Sequence, residues 1–296
     1  MESAGRRLPG AVRVVAIVLM LLVFLFGMGV AYTLGFGYDS HAYWTAAHDL
    51  AHLYDRPPLA RDAYLYSPAF VVVLWPLAQL PWPIFALCWG ALLAGCFFWL
   101  LRRLPPFWFV PAALACVPEV LTGNVYALMA VAMVIGLRHG AAWSFPLLTK
   151  VTPGLVGLGF FVVRGDWRRL VYALWTTAVV VGATALIIPG AWTEWVRFLV
   201  EQRVSGAVAA ILPLPVRVVG GAVAVVLVVL AARRSHYWML PVAAVLVSPT
   251  LGPNTLTLLA AVPRLLDARH RERGAEPSQR VPSEPTAARP GEIGPG

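Results

Sequence analysis

Long apolar runs alternate with short polar ones along this chain. A helix needs about 20 consecutive apolar residues to cross a hydrocarbon core of about 30 Å, and four runs come near that length: Val12–Leu34, Trp82–Leu101, Leu170–Pro189 and Val216–Ala232. Because lipid offers no partner for backbone N–H and C=O groups, such runs cross a membrane only as helices. The pattern therefore predicts an all-α polytopic membrane protein.

Further apolar stretches are shorter and are separated by proline, glycine or polar residues: Ser67–Leu80, Phe107–Leu121, Val125–Leu137, Ala141–Thr149 and Gly154–Val163. A last stretch, Tyr237–Val262, is broken by the segment Ser248–Asn254. Together with the long runs they predict a transmembrane domain of about eight to ten spans over residues 1–263. The first run exceeds the apolar region of a usual signal peptide, so we interpret it as an uncleaved signal anchor. From Arg264 the chain is rich in Arg, Glu, Pro and Ser, which predicts a disordered tail over residues 264–296.

Two polar segments interrupt the apolar pattern. The segment Gly35–Tyr66 follows the first span and contains four of the 14 acidic residues and three of the six histidines. Within it, Ala42–Leu53 has the pattern of a short amphipathic helix lying on the membrane surface. The segment Gly190–Leu212 is a second polar loop, which carries Glu194 and Arg197 among its charges.

Composition and charge agree with a membrane protein and assign its sides. The chain is 59% hydrophobic and 12% charged, whereas soluble domains are about 25% charged. The net charge of +9 comes from arginine clusters between apolar runs, the positive-inside pattern, so nucleic-acid binding is disfavoured. This pattern places both termini in the cytoplasm and both polar loops outside the cell membrane. The region Ser67–Leu101 conflicts with it: either Ser67–Leu80 is re-entrant or interfacial, or the rule fails locally.

Asp39 is the first candidate for chemistry. It is a carboxylate immediately past the outer end of a hydrophobic span, preceded by Gly35 and Gly37. A carboxylate there acts as a general base if partial burial raises its pKa toward neutrality. The alternatives are a solvated loop acid or the N-cap of the following helix.

Lys150 is the second candidate, because it is the only lysine and it lies inside an apolar stretch. Burying an ionisable group at membrane depth costs several kcal/mol unless it finds a partner, and a phosphate is one such partner. The alternatives are that Lys150 reaches the interface or neutralises an acid such as Glu119. Asn124, beside a glycine break, is a candidate ligand contact, although such residues more often bond between helices.

The order of several short motifs resembles glycosyltransferase family 87. These motifs are Asp39-x-x-x-Tyr43-x-x-Ala46, Leu53-Tyr54, Tyr66-x-Pro68, Gly123-Asn124, Lys150-x-x-Pro153 and Ser248-Pro249. After Ser248-Pro249 the chain continues with Thr-Leu-Gly-Pro-Asn, where the family has Ser-Trp followed by histidines.

The resemblance implies a GT-C-like helical bundle and a mannosyltransferase that takes its sugar from a polyprenyl-phosphate donor. It implies that Asp39 deprotonates a hydroxyl of an envelope glycolipid or glycan acceptor, with inversion at the sugar. The donor phosphate is then expected at Lys150, Arg197 and Arg203, and sugar or acceptor contacts at His41, Tyr43, Tyr66 and Asn124. No metal-ligand cluster or nucleotide motif is present in the sequence, so we expect no cofactor, and participation of a divalent metal is the alternative.

Two further functional classes remain open at this point. One is a transporter or flippase of a lipid-linked or anionic solute, with Lys150 as its binding charge; the other is a helix-bundle scaffold without a ligand. Transporters concentrate polar groups within their spans and often contain internal repeats, whereas this chain has no repeat and carries its candidate base and several aromatic residues on a loop. The pattern favours the enzyme.

Overall fold

The computed structural model describes residues 9–58, 60–205, 213–248 and 251–275, and within these ranges it is helical and contains no strand. The α-helices are α1 (Gly10–Leu34), α2 (Tyr38–His48), α3 (Pro68–Ala78), α4 (Trp82–Leu101), α5 (Pro106–Thr122), α6 (Tyr126–Gly136), α7 (Ser144–Thr149), α8 (Val151–Arg164), α9 (Trp167–Ile187), α10 (Ala191–Ser205), α11 (Leu214–Arg234), α12 (Met239–Val247), α13 (Pro253–Leu256) and α14 (Val262–Ala275). Short 3₁₀ helices cover Leu50–His52, Gly140–Trp143 and Thr257–Ala261.

Four of these helices are long and apolar enough to cross a membrane: α1, α4, α9 and α11. A fifth crossing results if α5 and α6, which meet at an angle of 119°, form one broken span. Most of α1, α9 and α11 is exposed on the outside of the bundle, which is how lipid-facing helices appear. The predicted polytopic helical membrane protein is thus confirmed, while the count of eight to ten spans stays a prediction because the remaining apolar helices are short.

The polar breaks in the sequence separate pairs of helices. Gly123 ends α5 in the left-handed conformation, with φ of 78°, and Lys150 joins α7 to α8 in an extended conformation. Pro153 and Pro253 lie in the first turns of α8 and α13, where their missing N–H is tolerated. These breaks bring several chain turns, with their free backbone groups, to one end of the bundle.

The two ends of the bundle differ in chemistry. At one end, called the loop end, α4 begins with Trp82, whose ring contacts the ring of His41 edge-on at 4.6 Å. At the other, called the arginine end, α4 finishes before Arg103, which pairs with Asp267 of α14 at 2.8 Å. Arg169 at the start of α9 donates there to the carbonyl oxygen of Arg138 at 3.3 Å. The arginine clusters are therefore together at the end away from Asp39.

Helix α3 explains the conflict in the arginine pattern. Tyr66 precedes α3 and its hydroxyl lies 3.1 Å from the hydroxyl of Tyr43. Leu80 follows α3, and its carbonyl oxygen accepts a hydrogen bond of 2.9 Å from the indole of Trp44. Both ends of α3 therefore contact α2, and eleven residues reach only about 17 Å. The helix returns the chain to the loop end, which agrees with the re-entrant or interfacial alternative.

Three segments differ from their predicted form. Helix α2 buries Ala42, Tyr43 and Ala46 in the bundle instead of lying on the membrane surface, because aromatic rings of α3 and α4 cover them. The second polar loop contains a 15-residue helix, α10. Helix α14 extends to Ala275, beyond the predicted start of the tail, because it is held to α4. Residues 276–296 of the predicted tail lie outside the described residues.

Candidate functional site

Asp39 lies in the first turn of α2, where a carboxylate interacts favourably with the free N–H groups of the helix. Gly37 precedes it with φ of 71° and donates its N–H to the carbonyl oxygen of Leu121 at 2.7 Å. Ser40 packs so tightly against Gly123 that a Cβ at position 123 would lie 2.3 Å from its Oγ. The start of α2 is thus fastened to the end of α5.

Asn124 holds the carboxylate of Asp39. Its Nδ2 donates to Asp39 Oδ2 at 2.9 Å, and its Oδ1 accepts the N–H of Val125 at 2.8 Å, which fixes the orientation of the amide. Asn124 is buried, whereas Asp39 keeps part of its surface open. Burial raises the pKa of Asp39, while the bond from Asn124 and the charge of Lys150 act in the opposite direction. The site therefore holds a reachable carboxylate with a raised pKa.

Lys150 places a cation between two tyrosine rings. Its Nζ lies 3.9 Å from the centre of the Tyr126 ring and 5.6 Å from that of Tyr66, distances at which the negative face of the ring attracts a cation. Lys150 is also partly exposed. Its charge acts on Asp39, so the only lysine of the chain and the candidate base belong to one site.

Buried tyrosines form one wall of this site. Tyr43 donates its hydroxyl to the hydroxyl of Tyr66 at 3.1 Å, and Tyr54 donates to the carbonyl oxygen of Tyr66 at 2.9 Å. Burial raises the pKa of Tyr66 to about 12. These phenols are therefore neutral at physiological pH and act as hydrogen-bond donors or acceptors, not as bases.

Glu119 braces the break that carries Asn124, a role that was not assigned from the sequence. It is fully buried; its Oε1 accepts the N–H of Ala127 at 2.7 Å, and its Oε2 accepts the hydroxyl of Thr257. One carboxylate thus joins α5, the first turn of α6 and the 3₁₀ helix before α14. The signal in the sequence was an acid in an apolar helix close to a glycine break, but its partner is far along the chain.

The other predicted contacts are placed as follows. His41 Nδ1 lies 2.6 Å from Asp62 Oδ1, and Arg56 pairs with the same carboxylate at 3.4 Å. Arg197 is exposed on α10, and no contact in the described part of the chain joins it to Asp39 or Lys150. The side chain of Arg203 lies outside the described residues, as does Pro249 of the last motif. The structure therefore brings together Asp39, Asn124, Lys150, Tyr43 and Tyr66.

Metal binding has no support in the geometry of the described residues. No group of three or more His, Cys, Asp and Glu side chains in them is arranged to hold an ion. The three cysteines are free. The chemistry of the site is accordingly that of a carboxylate, an ammonium group, an amide and phenols.

Fold and site together define a class: a polytopic helical membrane protein with a polar site where broken helices meet a loop helix. The chain belongs to glycosyltransferase family 87, whose family model matches residues 64–275, well over half of its length. No curated protein and no solved structure matches it. The resemblance seen in the sequence is thus confirmed, and the protein is a membrane glycosyltransferase.

The match does not cover every residue of the site. The matched range contains Tyr66, Asn124 and Lys150, whereas Asp39 and Tyr43 precede it. The support for Asp39 consequently comes from its hydrogen bond with Asn124 and its electrostatic interaction with Lys150, both of which lie inside the matched range.

Proposed function

We propose that this protein transfers a hexose, most simply mannose, from a polyprenyl-phosphate donor to the hydroxyl of an envelope glycolipid or glycan. The observation that carries the proposal is the pairing of a reachable carboxylate, Asp39, with a single cation, Lys150, at one end of a membrane bundle. Transfer to a hydroxyl needs a proton acceptor and a group that balances the departing phosphate. The site supplies one of each.

Asp39 is the proposed general base. Its carboxylate takes the proton of the acceptor hydroxyl while the oxygen attacks the anomeric carbon, and the bond from that carbon to the phosphate oxygen breaks. Attack from the face opposite the phosphate inverts the anomeric configuration. Because burial raises the pKa of Asp39, its carboxylate is a stronger base than a solvated aspartate.

Lys150 is the proposed partner of the donor phosphate. Negative charge accumulates on the phosphate oxygens as the sugar leaves, and a fixed ammonium group stabilises that charge strongly at a site shielded from water. The rings of Tyr66 and Tyr126 hold the ammonium group without neutralising it. Lys150 therefore retains its full charge for the donor.

Sugar contacts are assigned to polar groups around this pair. Asn124 and the hydroxyl of Tyr66 are the nearest, since Asn124 bonds to Asp39 and Tyr66 faces Lys150. We place the loop end outside the plasma membrane, where nucleotide sugars are absent and a lipid-linked donor is required. The arginine clusters at the opposite end support that orientation through the positive-inside pattern.

The proposal is tested by transfer from radiolabelled polyprenyl-phosphate-mannose to a mixed envelope-glycolipid acceptor, using purified protein in lipid. The Asp39→Asn variant keeps the shape of the side chain but cannot accept the proton, so we expect transfer to fall by about 10²–10⁴-fold. Asp49→Asn is the matched control. Asp49 lies on the same loop, but it is exposed and paired with His52, and this variant should retain wild-type transfer.

Two results would contradict the proposal. Equal transfer by wild type and Asp39→Asn would remove Asp39 as the base. Transport of the labelled lipid across the membrane without any transfer, in both wild type and Asp39→Asn, would favour a flippase in place of an enzyme.

A further inference from the structure

A cavity at the arginine end has no part in the proposed transfer reaction. Its volume is about 550 Å³, within the range of roughly 300–1,000 Å³ that is usual for small-molecule sites. It lies between the turn that follows α6 and the first turns of α9, and its polar lining consists of Arg138, His139, Asp166, Arg168, Arg169 and Tyr172. The cavity is open on one side.

The charges of the lining are unbalanced. Arg169 is paired with Asp166 and also donates to the backbone of residue 138. Arg168 lies over the ring of Tyr172 at 5.7 Å, and no hydrogen bond or ion pair in the described part of the chain neutralises the side chain of Arg138. The lining therefore holds two guanidinium groups, those of Arg138 and Arg168, in excess of its one acid, Asp166, which pairs with Arg169. Guanidinium groups bind phosphate oxygens with two parallel hydrogen bonds.

The shape of the cavity is fixed by backbone packing. At Gly140 an added Cβ would lie 2.2 Å from the carbonyl oxygen of Arg169, so the turn after α6 rests directly on the first turn of α9. This contact holds Arg138 and Arg168 on two rims of one opening. The site is therefore built before any ligand arrives.

The surroundings indicate a ligand with a lipid tail. Helix α9 is a candidate span that starts at this cavity, and Trp167, Val171 and Trp175 on it are largely exposed. These apolar side chains form a surface for acyl chains beside the opening, with a tryptophan at the depth where aromatic residues gather in membranes. Basic pockets between helices at this depth bind anionic headgroups.

We propose that the cavity binds the phosphate headgroup of an anionic phospholipid, whose acyl chains lie along α9. The proposal is independent of the transferase mechanism, since the cavity and Asp39 are at opposite ends of the bundle. It predicts that an anionic lipid remains on the protein after extraction, and that a zwitterionic lipid does not replace it.

The test is native mass spectrometry of the full chain, released from detergent containing either phosphatidylglycerol or phosphatidylcholine. We expect one phosphatidylglycerol to stay bound to wild type, with roughly tenfold or greater loss of affinity in Arg138→Gln/Arg168→Gln. The matched control is Arg233→Gln/Arg234→Gln, which removes the same charge at the same end of the bundle but outside the cavity. The control should bind as wild type does. If the double variant does not fold, the single variant Arg138→Gln provides the same comparison of lipid binding, because the side chain of Arg138 is exposed.

Several outcomes would overturn this proposal. Equal loss of lipid in the cavity variant and the control would show general attraction by surface charge, and equal retention in both would show that the cavity is not the site. Displacement of the lipid by free glycerol 3-phosphate at a concentration similar to that of the lipid would identify a soluble phosphate as the ligand. Equal binding of phosphatidylcholine would remove the requirement for an anion.

Discussion

The two ends of this bundle use charged side chains in opposite ways. Within the candidate site at the loop end, one carboxylate and one ammonium group are each held by named neighbours: Asp39 by Asn124, and Lys150 by Tyr126. At the arginine end the charges are repeated and mostly exposed, as with Arg138 and Arg168. A group that performs a chemical step needs a fixed position, whereas the exposed arginines take no part in the proposed transfer step. The difference predicts that single substitutions of Asp39 or Lys150 have large effects on transfer, and that single substitutions of the exposed arginines have small ones.

After Asp39→Asn, the largest effect on transfer is expected from Lys150→Met. This change removes the only cation of the site and keeps much of the volume of the side chain. We expect transfer to fall by roughly 10²–10³-fold, because removing one charge-stabilising group typically costs that much. Lys150→Arg should recover part of the activity, since it restores the charge with a different shape. The measurement is the initial rate of transfer at saturating donor.

Arg102→Gln is the control for that variant, because it removes a positive charge at the other end. It should change the rate less than twofold, as expected for an exposed charge. A loss of activity in Arg102→Gln as large as that in Lys150→Met would break the distinction between the ends.

A second expected effect is on stability. Glu119→Ala leaves the buried N–H of Ala127 without its acceptor, and the hydroxyl of Thr257 keeps only the carbonyl oxygen of Asn254. Each unsatisfied buried group costs about 1–3 kcal/mol, so the midpoint of thermal unfolding in detergent should fall clearly. Glu119→Gln keeps an oxygen for Ala127 and should fall less. Similar midpoints for wild type and Glu119→Ala would show that the brace between α5 and α6 contributes nothing.

A smaller effect is expected on the pH dependence of transfer. Asn124→Ala removes the hydrogen bond that favours the ionised form of Asp39, so the pKa of Asp39 should rise further. The base is active when ionised, so the rate of transfer is lost as pH falls through this pKa. Because the pKa is higher in Asn124→Ala, the acidic limb of its pH–rate profile should move to higher pH by about one unit. Asn254→Ala, which removes a partly buried amide bonded to Thr122, should leave the limb in place. A shift to lower pH in Asn124→Ala would contradict the assignment.

Much of this organisation was predictable from the sequence. Lys150 was identifiable because a lone lysine in an apolar stretch is expensive unless it has a role, and Asp39 because of its place after the first span. The structure places Lys150 against Tyr66, at the end of the first loop.

Other features depend on contacts that no local pattern reveals. The bond between Glu119 and Thr257 joins residues 138 positions apart. The burial of α2 was missed because its mixture of alanine, serine, tyrosine and histidine resembles a surface helix, whereas its partners are the aromatic rings of distant helices. Helix α10 was taken for a loop because its charges interrupt the apolar pattern. In each case tertiary packing decided the structure over local composition.

The separate roles of Asp39 and Lys150 are tested most directly by measuring donor binding and transfer in the same two variants. If Asp39 is the base and Lys150 holds the phosphate, Asp39→Asn binds polyprenyl-phosphate-mannose as wild type does but does not transfer the sugar, whereas Lys150→Met binds the donor more weakly. Asp39→Asn with wild-type transfer, or with donor binding weakened as much as in Lys150→Met, would contradict this division of roles.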